Sequence, residues 1–133
     1  MTSTCDTSVL IPALLPWHVA HVAAREAVSA VTSVPAHVLV ESFSVLTRLP
    51  VGHRISAASA AEALDRLAWT AVSLPPPAHR ELIRRASEAG VSGGAIYDGL
   101  IGATAQHHGL RLLTRDARAR RTYDALSVGY TLV

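Results

Sequence analysis

The chain contains no lysine: all twelve of its basic residues are arginine. That absence removes the Walker A loop, whose lysine sits on the phosphates, and Schiff-base chemistry, which needs a lysine amine. Cysteine is nearly absent too. Cys5 stands alone, so no intrachain disulfide, cysteine-built zinc site or redox pair can form, and a reducing compartment fits. Long hydrophobic runs are also missing. The stretch Val9 to Leu15 is short, broken by Pro12 and preceded by no basic residue, which argues against a signal peptide or a membrane span; a cytoplasmic protein is expected. Charge is sparse, at 17% of residues against 50% hydrophobic, the balance of a globular chain with a large core and some apolar surface to spare for a partner. At 133 residues, positions 1–133 read as one domain.

Strand and helix signals alternate. Residues 1 to 5 are short, polar and partly β-branched, and pass into Asp6-Thr7-Ser8, which opens a helix. Trp17-His18 marks a loop, His18 to Ala30 a helix, and Val31 to Val34 a strand closed by Pro35. Val38, Ser42, Val45, Leu46 and Leu49 have helical spacing. Ser56 caps a further helix that ends near Trp69, Thr70 to Leu74 reads as a strand, and Pro75-Pro76-Pro77 as a connector. Helices follow over Ala78 to Ala89 and from Ser92-Gly93-Gly94 to His108, then a strand over Leu110 to Thr114, a helix opened by Asp116 and a closing strand from Gly129 to Val133. Such alternation implies parallel pairing through right-handed crossovers, and so a three-layer α/β/α sandwich around a mainly parallel sheet of four to five strands.

The ten carboxylates fall into two groups. Glu26, Glu62, Asp65, Glu81, Glu88 and Asp124 lie among polar positions of helix surfaces, where solvation accounts for them. Glu41 and Asp98 do not cap helices, and neither has a basic residue close by; the nearest to Glu41 is Arg48. A partly buried carboxylate needs a partner, so theirs is remote or is a metal. Asp6 and Asp116 each follow a strand and precede a helix. Capping would explain either one, yet both also belong to the carboxyl edge of a parallel sheet, where ligands bind. Two carboxylates about 4 Å apart repel by roughly 4 kcal/mol at an effective dielectric near 20, several times the worth of a cap. If the four converge, a divalent cation must hold them, and an all-oxygen donor set suits Mg²⁺ or Mn²⁺.

The segments CDTSVLIPALL, VPAHVLVESFSVLTRLP and YDGLIGATAQHHGLRLLTRD together resemble the PIN-domain ribonucleases, in particular the VapC-type toxins of bacterial toxin–antitoxin pairs. WHVAHVAA is similar to the His-rich start of the family's second helix. The resemblance spans nearly the whole chain and implies an α/β/α PIN-like sandwich with an acidic pocket for one or two Mg²⁺ or Mn²⁺ ions. Asp6, Glu41, Asp98 and Asp116 fall on the family's acidic positions, and Thr7 and Thr114 on its small hydroxyl positions. Pro12 departs from the pattern and is expected to bend the first helix without abolishing it. The activity implied is RNA hydrolysis by a metal-activated water, leaving 5′-phosphate and 3′-hydroxyl ends, with an antitoxin offering an arginine to the acids and a homodimer as further partners. A noncatalytic PIN-like interaction module is the alternative. A receiver domain would need a lysine beside its acids, and a FEN-like nuclease much larger insertions.

With the four acids set aside, twelve arginines face six remaining carboxylates, and five arginines fall between Arg111 and Arg121. Arg115, Arg118, Arg120 and Arg121 are expected to contact the RNA backbone. His18 and His21 read as surface or cap residues, for no third ligand has metal-motif spacing; His107 and His108 are consecutive and point to different sides of a helix. Trp17, Trp69 and Tyr97 read as core or interface residues rather than base-stacking platforms.

Overall fold

Strands and helices alternate along the chain in the computed structural model, which describes residues 2–133. In order they are β1 (Ser3–Cys5), α1 (Thr7–Leu14), α2 (His21–Ala27), β2 (Ser33–Pro35), α3 (Ala36–Thr47), α4 (Ala57–Asp65), β3 (Thr70–Val72), α5 (Pro76–Glu88), α6 (Ala95–His107), β4 (Arg111–Thr114), α7 (Ala119–Ala125) and β5 (Tyr130–Leu132). Every strand pairing is parallel. The backbone ladders join β1, β4 and β5 in one group and β2 with β3 in another. What ties the two groups is a side chain: the fully buried Thr4 hydroxyl of β1 donates to the Ser33 carbonyl of β2 at 2.8 Å. The spatial order is therefore β3-β2-β1-β4-β5, with the chain reversing its direction of travel across the sheet between β1 and β4.

That reversal sorts the helices. With right-handed crossovers, the connections that build β1-β2-β3 put α1 to α4 on one face, and the return to β4 and β5 puts α5 to α7 on the other. The contacts agree, α1 packing on α2 and α3, α3 on α4, and α6 on α5 and α7. The result is the expected α/β/α sandwich with five short strands.

Local chemistry explains where the elements shift from expectation. The second helix starts three residues late because the His18 ring accepts from the Ala20 N–H at 3.0 Å, closing a turn ahead of it. His21 then bonds the Pro12 carbonyl at 2.8 Å and so docks α2 against α1. Helix α1 runs on through Pro12, which lies inside it and cannot donate to the Ser8 carbonyl, and the helix ends two residues later at Leu14. Two of the three prolines expected as a connector instead form the first turn of α5, where no N–H is needed. Arg85 and Gln106 both donate to the Leu126 carbonyl, at 2.7 and 3.0 Å, and close the end of α7.

Helix α6 carries the tightest packing. A Cβ at Gly102 would lie 2.7 Å from Val128 Cγ2 and 3.3 Å from Tyr123 Cδ1, so only glycine lets α7 and the turn into β5 approach. Gly102→Ala is expected to destabilise the fold by about 1–3 kcal/mol through overpacking. Urea denaturation checks this.

Candidate active site

The carboxyl ends of β1 and β4 lie side by side, because Cys5 pairs with Leu113 and the Asp6 N–H continues the ladder to the Leu113 carbonyl at 3.0 Å. Asp6 and Asp116 thus occupy one edge, at the point where strand order reverses and α/β sheets place their ligand crevices. Asp6 is buried, 4% exposed, and must be hydrogen-bonded. Its Oδ1 accepts from the Ser8 N–H at 3.0 Å, the α1 cap, and from the Ser8 hydroxyl at 2.5 Å. Its Oδ2 accepts from the Tyr123 hydroxyl at 2.8 Å. Each oxygen has two lone pairs; three are engaged, and one remains on Oδ2.

Ser8 extends the network. Its hydroxyl accepts from the Arg115 N–H at 2.7 Å and lies 3.3 Å from the Thr114 hydroxyl, which accepts from the Asp116 N–H at 3.1 Å. Asp116 Oδ1 in turn accepts from the N–H groups of Arg118 and Ala119 at 2.8 and 3.3 Å. It caps the turn that leads into α7, and its Oδ2 has no protein donor among the described residues.

Glu41 comes from α3 and Asp98 from the first turn of α6. Sequence reading leaves Glu41 without a local partner; the structure supplies one, His37 Nε2 lying 3.6 Å from Glu41 Oε2. The spacing of four residues is the helical pairing distance and was legible. Asp98 also has more local support than expected, since the positive end of α6 favours a carboxylate in its first turn. Even so, its carboxyl is pushed up to about 6, first by burial and then by Asp116, Glu41 and Asp6. Burial is the larger cause, and the three other acids add to it. Burial also raises Asp6, against the hydrogen bonds from Ser8 and Tyr123. Burial and then Asp6 push Tyr123 upward, so its hydroxyl stays protonated and remains a donor.

The two threonines separate. Thr114 is tied into the network, whereas the buried Thr7 hydroxyl has no hydrogen-bond partner, and neither does Ser42 beside Glu41. Ser8 and Tyr123 were missed as site residues, Tyr123 because nothing local links it to an acid 117 positions away. Cys5 adjoins Asp6 but is fully buried, and its thiol is raised by burial and then by Asp6, away from nucleophilic use. Of the arginines, Arg118 and Arg121 line a groove of about 710 Å³ with Ser92, Ala95 and Ala117. Arg120 instead donates to the Tyr130 hydroxyl at 3.3 Å, and Tyr130 to Asp124 at 2.9 Å.

Among the described residues, no three His, Cys, Asp or Glu side chains close on one point as a ready ion cage. The donor chemistry nevertheless fits a hard divalent cation, for it is all oxygen, with free oxygens on Asp6, Asp98 and Asp116.

A parallel α/β sandwich with acids gathered at its switch point defines a small class of proteins. Residues 4–125 match the model of the PIN domain, and the chain belongs to that family. It is of the VapC type: it is 43% identical over 129 residues to Ribonuclease VapC40 of Mycobacterium tuberculosis, covering 96% of each chain, and 38% identical over 129 residues to Ribonuclease VapC27 of the same organism, covering 92% of this chain and 90% of that one. Among solved structures, FitAcB from Neisseria gonorrhoeae superposes with a TM-score of 0.67 at 23% identity over 97% of this chain and 96% of that one. PAE2754 from Pyrobaculum aerophilum does so with a TM-score of 0.63 at 19% identity over 97% and 89%. Both share the fold.

Without metal, the folded chain holds a proton on Asp98 between about pH 4 and 6 that the unfolded chain has released, so stability falls as pH rises through that window. Asp98→Asn is expected to be more stable than the parent above pH 7 in EDTA, by about 1 kcal/mol once the shift is discounted for a half-exposed group. The difference should vanish below pH 4. Urea melts at both pH values measure it, and a parent chain equal to the variant at high pH would show that the acids are not crowded.

Proposed function

We propose that this chain is a metal-dependent endoribonuclease and the toxin of a toxin–antitoxin pair. The observation that carries the reading is geometric: Asp6 and Asp116 follow β1 and β4 at the point where strand order reverses, each with Oδ1 fixed by N–H groups and capacity left on Oδ2; the electrostatics agree, since Asp116, Glu41 and Asp6 add to burial in raising Asp98. The two VapC relatives, named as ribonucleases at 43% and 38% identity, support the substrate class.

Asp6, Glu41, Asp98 and Asp116 would hold Mg²⁺ or Mn²⁺, one or two ions. When bound, the cation supplies Lewis acidity toward a water and toward the leaving oxygen of an in-line displacement. The remaining work belongs to the chain. Ser8 and Tyr123 fix the Asp6 carboxylate so that Oδ2 alone has a free lone pair, and Thr114 and the Arg118 and Ala119 N–H groups fix Asp116 with its Oδ2 free. Orientation of this kind is set before substrate arrives. No nucleophilic side chain is needed. Arg118 and Arg121, beside Asp116 and without carboxylate partners among the described residues, would hold RNA phosphates in the groove they line. The valines exposed at positions 19, 22, 40 and 51 suit a covering antitoxin or a second copy of the chain.

Purified protein should cut a total-RNA pool with Mg²⁺ or Mn²⁺ and not in EDTA, leaving 5′-phosphate ends. Asp98→Ala should cut at least about 100-fold more slowly and lose the Mn²⁺ heat seen by calorimetry. Equal cutting by the variant would refute the site, and absence of Mn²⁺ binding by the parent would favour a noncatalytic module. Arg118→Ala and Arg121→Ala should each weaken RNA binding and reduce the slope of log affinity against log salt by about 0.7. Fluorescence titrations across a salt series measure this.

A further inference from the structure

We propose that the His37–Tyr97 ring pair is a nucleobase platform, the outer face of Tyr97 taking an unpaired base of RNA whose backbone lies at the acids. The inference rests on the ribonuclease reading and adds to it the part of the substrate that is not phosphate. Tyr97 immediately precedes Asp98 on α6, and His37 lies one turn ahead of Glu41 on α3, so each ring is a helix neighbour of one of the acids. The rings are parallel to within 1°, with centroids 5.5 Å apart. Tyr97 is 55% exposed, which removes it from the core, and its hydroxyl has no hydrogen-bond partner among the described residues.

An exposed tyrosine ordinarily samples several rotamers. Here the ring stacks on the His37 imidazole, which narrows the rotamers open to it, and more than half of its surface is available. A ring so restricted loses less entropy when a base stacks on it. Every nucleobase has a π-face, so such a platform grips single-stranded RNA with little regard to sequence. Helix α6 connects the two halves of the binding surface: Ala95 lines the arginine groove, and Tyr97 and Asp98 follow within a turn. Phosphates on Arg118 and Arg121 and a base on Tyr97 bracket the acids. The exposed indole of Trp17 stacks obliquely on His53, with ring planes 32° apart, and adjoins none of the four acids in sequence.

The test uses the full chain in Ca²⁺, a hard cation that suits an all-oxygen site, with a short single-stranded RNA carrying 2-aminopurine, whose fluorescence falls when it stacks. The parent should bind and quench. Tyr97→Ala should bind roughly 5- to 150-fold more weakly and without quenching, Tyr97→Trp should keep both, and an RNA with an abasic site in place of the 2-aminopurine should not distinguish parent from Tyr97→Ala. Mn²⁺ affinity by calorimetry should be the same in all three proteins. Unchanged binding and quenching in Tyr97→Ala overturns the platform, as does a parent that binds no RNA. Lost Mn²⁺ affinity in that variant overturns it too, by placing the effect on Asp98, and so does a changed molecular mass with RNA binding intact, by making Tyr97 a protein contact. Quenching without cleavage of RNA in Mn²⁺ removes the nuclease reading and leaves the platform; cleavage without quenching does the reverse.

Discussion

The Asp6 carboxylate is buried at the end of β1, and hydrogen-bonding it there dictates the arrangement of three other parts of the chain. Its donors come from Ser8 in α1 and Tyr123 in α7, and Ser8 also reaches the backbone after β4. A buried carboxylate stripped of one donor bears the full desolvation cost of that oxygen, so α7 cannot drift from β1 without a penalty concentrated on one group. Helix α7 can stand where Tyr123 needs it only because Gly102 lets Val128 and Tyr123 approach α6. Packing in the second helical layer thereby sets the position of an acid on the far side of the strand edge.

Capping and ligation are compatible uses of the same acid, because a carboxylate has two oxygens. Asp6 and Asp116 each spend Oδ1 on backbone N–H groups at the start of a helix and keep capacity on Oδ2. The cap orients the group, and the orientation is what a ligand site requires. Asp98 is held differently. It has the helix end of α6 in its favour, and burial first and then three carboxylates against it, and the balance raises its carboxyl. The site is thus a reservoir of unfavourable electrostatics maintained by a well-packed scaffold, the usual relation between a site and the fold that carries it.

Most of the fold was legible because its signals are local. The β-branched run ending at Pro35, the apolar run ending at Thr114, the Ser56 cap and the glycines after helices each act within a few residues, and the parallel sandwich follows from their alternation. The four acids drew attention for the opposite reason: Glu41 and Asp98 lacked a sufficient local explanation. What escaped was of two kinds. The hydroxyls of Ser8 and Tyr123 act across the sheet, where no periodicity points, and the division of the ladder into two groups bridged by Thr4 depends on side-chain detail. The His37 pairing with Glu41 was different, since its spacing of four residues was visible and only its significance went unread. Tyr97, expected in the core or at an interface, is exposed beside His37 because the helix face that carries Asp98 to the strand edge carries its neighbour outward.

The arginines complete the electrostatic argument. Arg111 is spent on Tyr130 and Thr131 and Arg120 on Tyr130, so the sheet edge and α7 consume part of the basic run. Arg118 and Arg121 remain, lining a groove that reaches Ala117 beside Asp116. A phosphodiester entering that groove meets positive charge first and a negative pocket next. At an ionic strength of 0.1 M the screening length is about 10 Å, so the two fields are felt separately over the width of such a groove. The arginines can retain a phosphate at the rim, but they cannot draw it among four carboxylates, two of which are already raised by their surroundings. Only neutralising the pocket allows substrate to advance. On the nuclease reading, cation binding and productive RNA binding are therefore one coupled equilibrium, in which the cation opens the pocket to anions before it takes any part in the chemistry.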